Sequence, residues 1–124
     1  MATKISTANA PAAIGPYSQA IVVGNMVYTS GQIAINPASG NIEASDVVGQ
    51  TEQVMKNLGA VLQAAGSSYE KAVKTTCFLA DIADFAAFNE VYGKYFTEKP
   101  ARSCVAAKAL PKGALVEVEV IAEI

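Results

Sequence analysis

The sequence predicts an α+β fold in which two helices cover one face of a mixed six-stranded sheet. Two segments carry apolar residues at helical spacing: residues 45–66 and the stretch that begins at Asp81 or Asp84. The other apolar segments are short and bounded by turn residues, which is typical of strands. Helices and strands alternate in the second half of the chain, so right-handed crossovers would place both helices on the same face.

Six segments are predicted to be strands because they combine short apolar runs or alternating polarity with flanking turn residues. A Gly-Asn pair joins the first two, which is a common hairpin connection. The turn-forming residues 36–40 end the third. The predicted order is β-β-β-α-β-α-β-β, with strands at residues 20–23, 26–30, 31–35, 71–79, 101–109 and 115–124.

Both predicted helices have an apolar face. The first is expected to begin with Ser45 or Asp46 as its N-cap and to end at Gly66. Gly59 lies inside it and costs about 1 kcal/mol relative to alanine, so we expect it to allow close packing against the sheet. The residues predicted to face the core are Val47, Val54, Leu58, Val61, Leu62 and Ala65 in the first helix and Phe85, Phe88, Val91, Tyr92, Tyr95 and Phe96 in the second.

The composition indicates one domain, residues 1–124, that assembles with copies of itself. Apolar residues make up 52% of the chain and charged residues only 16%, against a typical value of about 25%. A small domain this apolar has more hydrophobic surface than one core easily hides, which favours a homo-oligomer. We expect a cytoplasmic protein, because the sequence shows neither a membrane-spanning run nor the pattern of a secretory signal.

Several residue types are absent or rare. The chain has no histidine, which is the commonest general base and metal ligand. Cys77 and Cys104 cannot build a structural zinc site alone, and no glycine motif for phosphate or dinucleotide binding is present. The net charge is −2 and the nine Lys and Arg are dispersed, which argues against a nucleic-acid partner. An enzyme with this sequence is predicted to need no metal or cofactor.

Arg102 and Glu117 are the residues that most suggest chemistry. A guanidinium can grip a carboxylate with two parallel hydrogen bonds, and a glutamate held against apolar surface can have its pKa raised toward neutrality. Together they suggest a pocket for a small organic acid with an acid/base group beside it. Simpler interpretations remain open: Arg102 could be a surface residue paired with Glu119 or Glu123, and Val-Glu-Val-Glu-Val could be a half-buried strand with one wet face.

Five segments give the chain a clear resemblance to the Rid family, also called YjgF, and within it to the RidA subgroup. They are P-A-R-S-C-V at 100–105, L at 110 with V-E-V at 116–118, A-P-A-A-I-G-P-Y-S-Q at 10–19, T-S-G-Q at 29–32 and F-A-A-F-N at 85–89. The chain departs from the family pattern in two ways. Val118 replaces the usual Met or Ile, and residues 97–99 form a shorter loop than in some members. We expect the short loop to change the rim of the pocket.

The resemblance implies a chorismate-mutase-like fold and a homotrimer with pockets between subunits. It also implies cofactor-free hydrolysis of 2-iminobutanoate and 2-iminopropanoate, the tautomers of 2-aminocrotonate and 2-aminoacrylate, to 2-oxo acids and ammonia. Such chemistry limits damage from these reactive species. The alternative is a non-catalytic module that senses 2-oxo acids, for which Arg102 would be needed but the proton-transfer role of Glu117 would not.

By position in these motifs, Arg102 would hold the substrate carboxylate and Glu117 would orient a water and transfer its proton. Ser30 and Gly31 match the turn that contacts substrate, and Tyr17 is expected to form an aromatic wall. The remaining two predicted site residues are Asn89 and Cys104. Each has a plainer interpretation: Tyr17 could pack structurally, Asn89 could brace a loop, and Cys104 could be a small buried hydrophobe whose backbone alone borders the pocket.

One geometric condition applies to the shared site. If the last two strands formed a plain hairpin, five or six residues at about 3.3 Å each would separate Arg102 from Glu117 by roughly 15–20 Å. One small acid could not contact both. A shared site therefore requires that these strands are not simple neighbours, or that the two residues come from different subunits.

Overall fold

A computed structural model describes residues 2–124, and its main feature is one mixed sheet of six strands. Their spatial order is β1-β2-β3-β8-β6-β7; β6 and β7 run parallel, and every other neighbouring pair is antiparallel. The strands are β1 Thr3–Ile5, β2 Ala20–Val23, β3 Met26–Thr29, β6 Ala72–Leu79, β7 Ala101–Ala106 and β8 Val116–Glu123, with β4 Ile35–Asn36 and β5 Asn41–Ile42 forming a separate hairpin.

Two helices, α1 Val47–Ala64 and α2 Phe85–Tyr95, pack on this sheet. The Asp46 side chain accepts a hydrogen bond from Gly49 N at 2.8 Å, so it is the N-cap of α1. Gly66 follows the helix with φ +82°, a left-handed conformation that glycine adopts without steric cost. The predicted α+β class, with two helices on a mixed six-stranded sheet, is therefore confirmed. Neither helix within residues 2–124 is long and apolar enough to span a bilayer.

The buried core lies between the helices and the sheet. Fully buried side chains come from α1, such as Leu58 and Leu62, and from the helix side of the central strands, such as Leu79 and Val118. The prediction for α2 is wrong at Phe85, which is 37% exposed, because this residue lies at the start of the helix beyond the edge of the core. The other predicted core residues of α2 are buried or pack against the core.

The prediction of a third strand at residues 31–35 is wrong. Gln32 alone pairs with the main sheet, through a bridge to Val118 on β8, after which the chain leaves that sheet and Ile35 begins β4. The reason is a helix side chain: Asn57 of α1 donates to Ile33 O at 3.1 Å and to Ile35 O at 2.9 Å, so those carbonyls are satisfied away from the sheet. The sixth strand is instead β1, three residues at the sheet edge that are too short to give a periodic signal.

The face of the sheet opposite the helices has an apolar surface that no other element of the described chain covers. Side chains alternate between faces, so those that do not point toward the helices lie here. Val23, Tyr28 and Val105 are 45–49% exposed. We call this surface the open sheet face; it comprises Ile21, Val23, Tyr28, Phe78, Val105 and Ile121.

Gly59→Ala is expected to destabilise the protein. Gly59 packs against Tyr69, in the turn before β6, and not against the sheet as predicted. A Cβ there would lie 2.8 Å from Tyr69 Cζ and disturb the hydrogen bond from the Tyr69 hydroxyl to Met55 O at 2.5 Å. We expect the steric conflict to cost about 1–3 kcal/mol, against roughly 1 kcal/mol gained in helix propensity. The free energy of unfolding should therefore fall. Chemical denaturation measures it.

Gly93→Ala is the matched control, because Gly93 also lies inside a helix and a Cβ there would meet nothing within 4 Å. This variant should gain about 0.5–1 kcal/mol. A Gly59→Ala protein at least as stable as the wild type would contradict the packing argument.

Candidate functional site

A cavity of about 480 Å³ opens beside β8 and contains four of the predicted site residues: Tyr17, Ser30, Gly31 and Glu117. We call it the Glu117 cavity. Its walls are mostly apolar, and Lys112 lies among the residues around it. The full lining is Pro11, Ala12, Ile14, Tyr17, Ser30, Gly31, Gln32, Ile33, Ile35, Pro111, Lys112 and Glu117.

The Glu117 side chain lies directly over Gly31. A Cβ added at Gly31 would approach Glu117 Cδ to 2.9 Å and the carboxylate oxygen more closely still, so only glycine leaves room for this carboxyl group. The bridge between Gln32 and Val118 fixes the approach, with Gln32 N 2.9 Å from Val118 O. Burial raises the pKa of Glu117 above its ordinary value, and the nearby Glu119 carboxylate raises it further. This carboxyl group can therefore exchange a proton closer to neutral pH.

A buried amide, Gln19, holds the loop that carries Tyr17. Its Nε2 donates to Pro11 O at 2.7 Å and to Thr7 O at 3.1 Å, while Oε1 accepts from Thr7 N at 2.6 Å. Gln19 is not among the residues predicted from the sequence, where its only signal is a single amide immediately before an apolar strand. Because it joins both ends of the loop, Gln19 positions one wall of the cavity.

Ser30 is tied to the same loop. Its hydroxyl donates to Ser18 O at 2.5 Å, and its N–H donates to Gln19 O at 2.9 Å. Tyr17 stays 53% exposed, so it forms an outer wall and is not part of the core. Its role as an aromatic wall for a substrate therefore stays a prediction.

Arg102 lies on the edge strand β7, on the helix side of the sheet. Its Nη1 donates to Asn89 Oδ1 at 2.6 Å, and its guanidinium lies 4.8 Å from the Tyr92 ring centre and 5.4 Å from that of Phe85. The simpler interpretation, a surface arginine paired with Glu119 or Glu123, is wrong, because its partners are these α2 residues. Asn89 positions Arg102, which leaves the other guanidinium donors for a ligand.

A second cavity, of about 320 Å³, lies beside Arg102 at the end of α2. We call it the Arg102 cavity. It is lined by Tyr92, Gly93, Phe96, Thr97, Lys99, Pro100 and Arg102.

Within one chain, Arg102 and Glu117 lie on opposite faces of the sheet. Strand β6 separates β7 from β8: Arg102 pairs with the buried Thr75, whereas Glu117 pairs with Phe78 on the open sheet face. Three residues along the strand and two strand spacings put their Cα atoms roughly 14 Å apart, before the opposite directions of the side chains are counted. The last two strands are not a plain hairpin, yet one protomer still cannot bring both groups to one small acid.

Cys104 lies two residues beyond Arg102, on the same side of β7, and pairs with Cys77 in β6. Both thiols are free. Burial raises the pKa of Cys77 to about 12 and also raises that of Cys104, which the Arg102 charge partly offsets. Neither group is activated as a nucleophile, which favours the interpretation of both as small apolar residues.

Native Cys77 is expected to resist alkylation at pH 8. A pKa near 12 leaves about a thousandfold less thiolate than an ordinary cysteine has at this pH. Iodoacetamide labelling read by peptide mass spectrometry should modify Cys104 slowly and Cys77 far more slowly, and both rapidly in urea. Arg102→Ala should slow Cys104 further, since it removes the charge that favours the thiolate. Equal labelling of Cys77 in native protein and in urea would contradict the burial argument.

The chemical capability of these groups is a carboxylate grip at Arg102 and proton transfer at Glu117. Within residues 2–124, no group of three or more His, Cys, Asp or Glu side chains is placed to hold a metal ion.

Comparisons with known proteins find matches along nearly the whole chain. The model of the family described as Endoribonuclease L-PSP matches residues 7–124. Proteins of Homo sapiens and Capra hircus named 2-iminobutanoate/2-iminopropanoate deaminase are 49% and 51% identical to this chain, over 95% of it and 87% of their own length. AldR of Lactococcus lactis, whose name describes it as a regulator, is 51% identical over 97% of this chain and 96% of its own.

Solved structures extend the match to three dimensions. YyfA of Yersinia pestis, described as a Rid-family protein, superposes with a TM-score of 0.97 at 51% identity over 100% of both chains. E. coli TdcF, solved with bound serine, gives a TM-score of 0.93 at 44% identity over 98% of both chains. With a family model matched over residues 7–124 and such relatives along nearly its whole length, the chain belongs to the Rid (YjgF) family, where its relatives include the RidA-type deaminases.

Proposed function

We propose that this protein hydrolyses 2-iminobutanoate and 2-iminopropanoate to the corresponding 2-oxo acids and ammonia without a cofactor. The observation that carries the proposal is a pair of complementary half-sites: a carboxylate grip at Arg102 and a cavity with a protonatable Glu117 carboxyl group. The substrates carry one carboxylate and one carbon–nitrogen double bond, so they need these two groups. The names of the human and goat relatives support the same reaction.

The active assembly in this proposal is a homotrimer with three sites between subunits. The two half-sites lie on opposite faces of one sheet, so Arg102 of one protomer would face the partner subunit's Glu117. The open sheet face supplies apolar surface for such packing, and its exposed Val23, Tyr28 and Val105 would be covered. In a closed ring, every subunit would contribute its Arg102 to one site and its Glu117 cavity to the neighbouring site.

The reaction moves two protons from oxygen to nitrogen, and one carboxylate can relay both. Glu117 takes a proton from water as the water oxygen bonds to the imine carbon, and returns that proton to the nitrogen to give a carbinolamine. It then takes the hydroxyl proton and passes it to the nitrogen, which leaves as ammonia while the carbon–oxygen double bond forms. Arg102 holds the substrate carboxylate throughout, while Tyr17, Ser30 and Gly31 enclose the reacting carbon. Atoms balance: imino acid and water give 2-oxo acid and ammonia.

Release of 2-oxobutanoate tests the proposal directly. A threonine dehydratase generates 2-aminocrotonate in the cuvette, and the rate of 2-oxobutanoate formation is compared with and without this protein. We expect acceleration by the wild type and about a hundredfold lower kcat/KM for Arg102→Ala, which loses a charged bidentate contact. The conservative variant Arg102→Lys should keep part of the affinity, because it retains charge but loses the planar fork. Wild-type protein without any acceleration would refute the activity.

A second candidate function is a binding module that senses 2-oxo acids, which the regulator name of the AldR relative favours. The two candidates differ at Glu117. If the protein is a sensor, the Glu117→Gln variant still responds to 2-oxo acid. If it is a deaminase, the same variant still binds the acid but has lost turnover. In either case, we predict no nucleic-acid partner, because the chain carries a net charge of −2 with dispersed cations.

A further inference from the structure

Thr75 carries a buried hydroxyl that the reaction above does not use. It lies in β6, directly opposite Arg102 in the neighbouring strand β7, and its exposed fraction is 0%. Its Oγ1 is 2.7 Å from the Tyr92 hydroxyl, so a hydrogen bond joins β6 to α2 at this point. The Cys77 thiol lies 3.9 Å from the same oxygen and is only a weak donor. Tyr92 is therefore the main partner of this threonine.

The ring of Tyr92 supports Arg102. The guanidinium lies over this ring at the distance of a cation–π contact, and both residues line the Arg102 cavity. Asn89, one turn earlier on α2, accepts a hydrogen bond from one end of the guanidinium. The ring below and the amide at the edge together fix the plane of the group. A bidentate grip depends on that plane, because two parallel N–H groups must meet the two oxygens of one carboxylate.

The Tyr92 hydroxyl is held inside the core by Thr75. Tyr92 is 7% exposed, and the Phe96 ring stacks on it with the ring centres 4.7 Å apart. Without the Thr75 hydroxyl, this buried phenol would lose its hydrogen-bond partner, which is unfavourable away from water. The ring would then shift to hydrate its hydroxyl, and the surface that supports Arg102 would shift with it.

We propose that Thr75 is a positioning residue for the carboxylate grip. Its hydroxyl fixes the Tyr92 ring, and the ring holds the Arg102 guanidinium in the plane that a bidentate contact requires. Thr75 is fully buried, so it acts on the ligand only through these two residues. The inference rests on the proposed function for the role of Arg102, and it concerns the carboxylate that the proposed substrates and products share.

The test measures the affinity for the product 2-oxobutanoate by calorimetry, independently of turnover. Thr75→Val removes the hydroxyl and nearly keeps the shape of the side chain. We expect it to raise the Kd about three- to tenfold, while kcat for 2-iminobutanoate stays within about twofold because the Glu117 cavity is undisturbed. Thr75→Ser keeps the hydroxyl and should bind 2-oxobutanoate within about twofold of the wild type. An unchanged Kd in Thr75→Val would overturn the inference.

Thr51→Val is the matched control. Thr51 is also fully buried, and its hydroxyl donates to Val47 O at 2.6 Å within α1, away from both cavities. This variant loses a buried hydroxyl of the same kind, so it should lower the melting temperature and keep the Kd within about twofold. An equal rise in Kd for Thr51→Val and Thr75→Val would indicate a general loosening of the fold and overturn the inference.

Two further backgrounds test the route through Tyr92 and Arg102. Tyr92→Phe removes the other end of the hydrogen bond and should raise the Kd about two- to threefold, and adding Thr75→Val should raise it no further. An unchanged Kd in Tyr92→Phe would overturn the inference even if Thr75→Val alone did not fold. In an Arg102→Ala background, Thr75→Val should leave kcat/KM unchanged. A further fall as large as in the wild-type background would mean that Thr75 acts by another route, which also overturns it.

Failure of the inference is distinguishable from failure of the proposed function. Turnover of 2-iminobutanoate by the wild type, together with an unchanged Kd in Thr75→Val, would overturn the role of Thr75 and leave the deaminase intact. Weaker binding by Thr75→Val without any wild-type turnover would support the role of Thr75 and remove the deaminase. Absence of both 2-oxobutanoate binding and 2-iminobutanoate turnover in the wild type would overturn both.

Discussion

Mixed oligomers assembled from equal amounts of Arg102→Ala and Glu117→Gln chains are expected to recover about a quarter of the wild-type turnover, although each variant alone is nearly inactive. The reason is the topology of the sheet: β6 separates the two residues and their side chains leave opposite faces. In the proposed cyclic assembly each site would take Arg102 from one subunit and Glu117 from the next. Random mixing makes each half intact with probability one half, so about one site in four is complete.

Mixtures of wild type with the Arg102→Ala/Glu117→Gln double variant provide the control. A site shared between subunits again leaves about a quarter of the sites intact in an equal mixture, whereas a site within one chain leaves about half. Chains can be mixed by co-expression with two different tags, and 2-oxobutanoate release gives the turnover. If the two single variants stay inactive when mixed and the double variant dilutes activity only by half, the intersubunit site is wrong.

Local signals in the sequence were sufficient to predict most elements of the fold. The cap at Asp46, the stop at Gly66 and the hairpin before Met26 are all short-range features. The error at residues 31–35 has a long-range cause, since Asn57, more than twenty residues away, takes the carbonyls that a strand would use. Sequence periodicity contains no information on such a partner. A similar limit applies to Gly59, whose close contact is a tyrosine in a later turn.

The candidate site was predicted residue by residue, but not in its arrangement. Tyr17, Ser30, Gly31 and Glu117 line one cavity, and Arg102 with Asn89 forms a separate cluster. The separation follows from β6 lying between the last two strands, and strand order is a property of the whole chain. Gln19 was overlooked because a single amide at the end of a loop has no distinctive spacing; its four hydrogen bonds are visible only when the loop has folded around it.

Glu117→Gln is expected to lower kcat about 10²–10⁴-fold while the Kd of 2-oxobutanoate changes little, because the amide keeps the shape and cannot transfer the proton. The pH dependence of the wild type gives a second test. Burial and then Glu119 raise the pKa of Glu117, so the carboxylate that accepts a proton from water forms at a higher pH than it does in an ordinary glutamate. Turnover should therefore rise with pH through that raised pKa. Glu119→Gln removes one of the two causes and should move the rising limb to lower pH.

The same pKa predicts the direction of a stability change. A carboxyl group whose pKa is higher in the folded protein stabilises the fold below its unfolded pKa, and this contribution is lost as the pH rises through the folded pKa. Glu117→Gln has no charge to bury, so its melting temperature should exceed that of the wild type at pH 8, and the difference should shrink toward pH 4. A variant with lower kcat but a melting temperature below the wild type at pH 8 would mean that the ionised carboxylate is well satisfied in the assembly. Burial would then not be the cause of its raised pKa, and the rising limb of the pH profile should stay in place in Glu119→Gln.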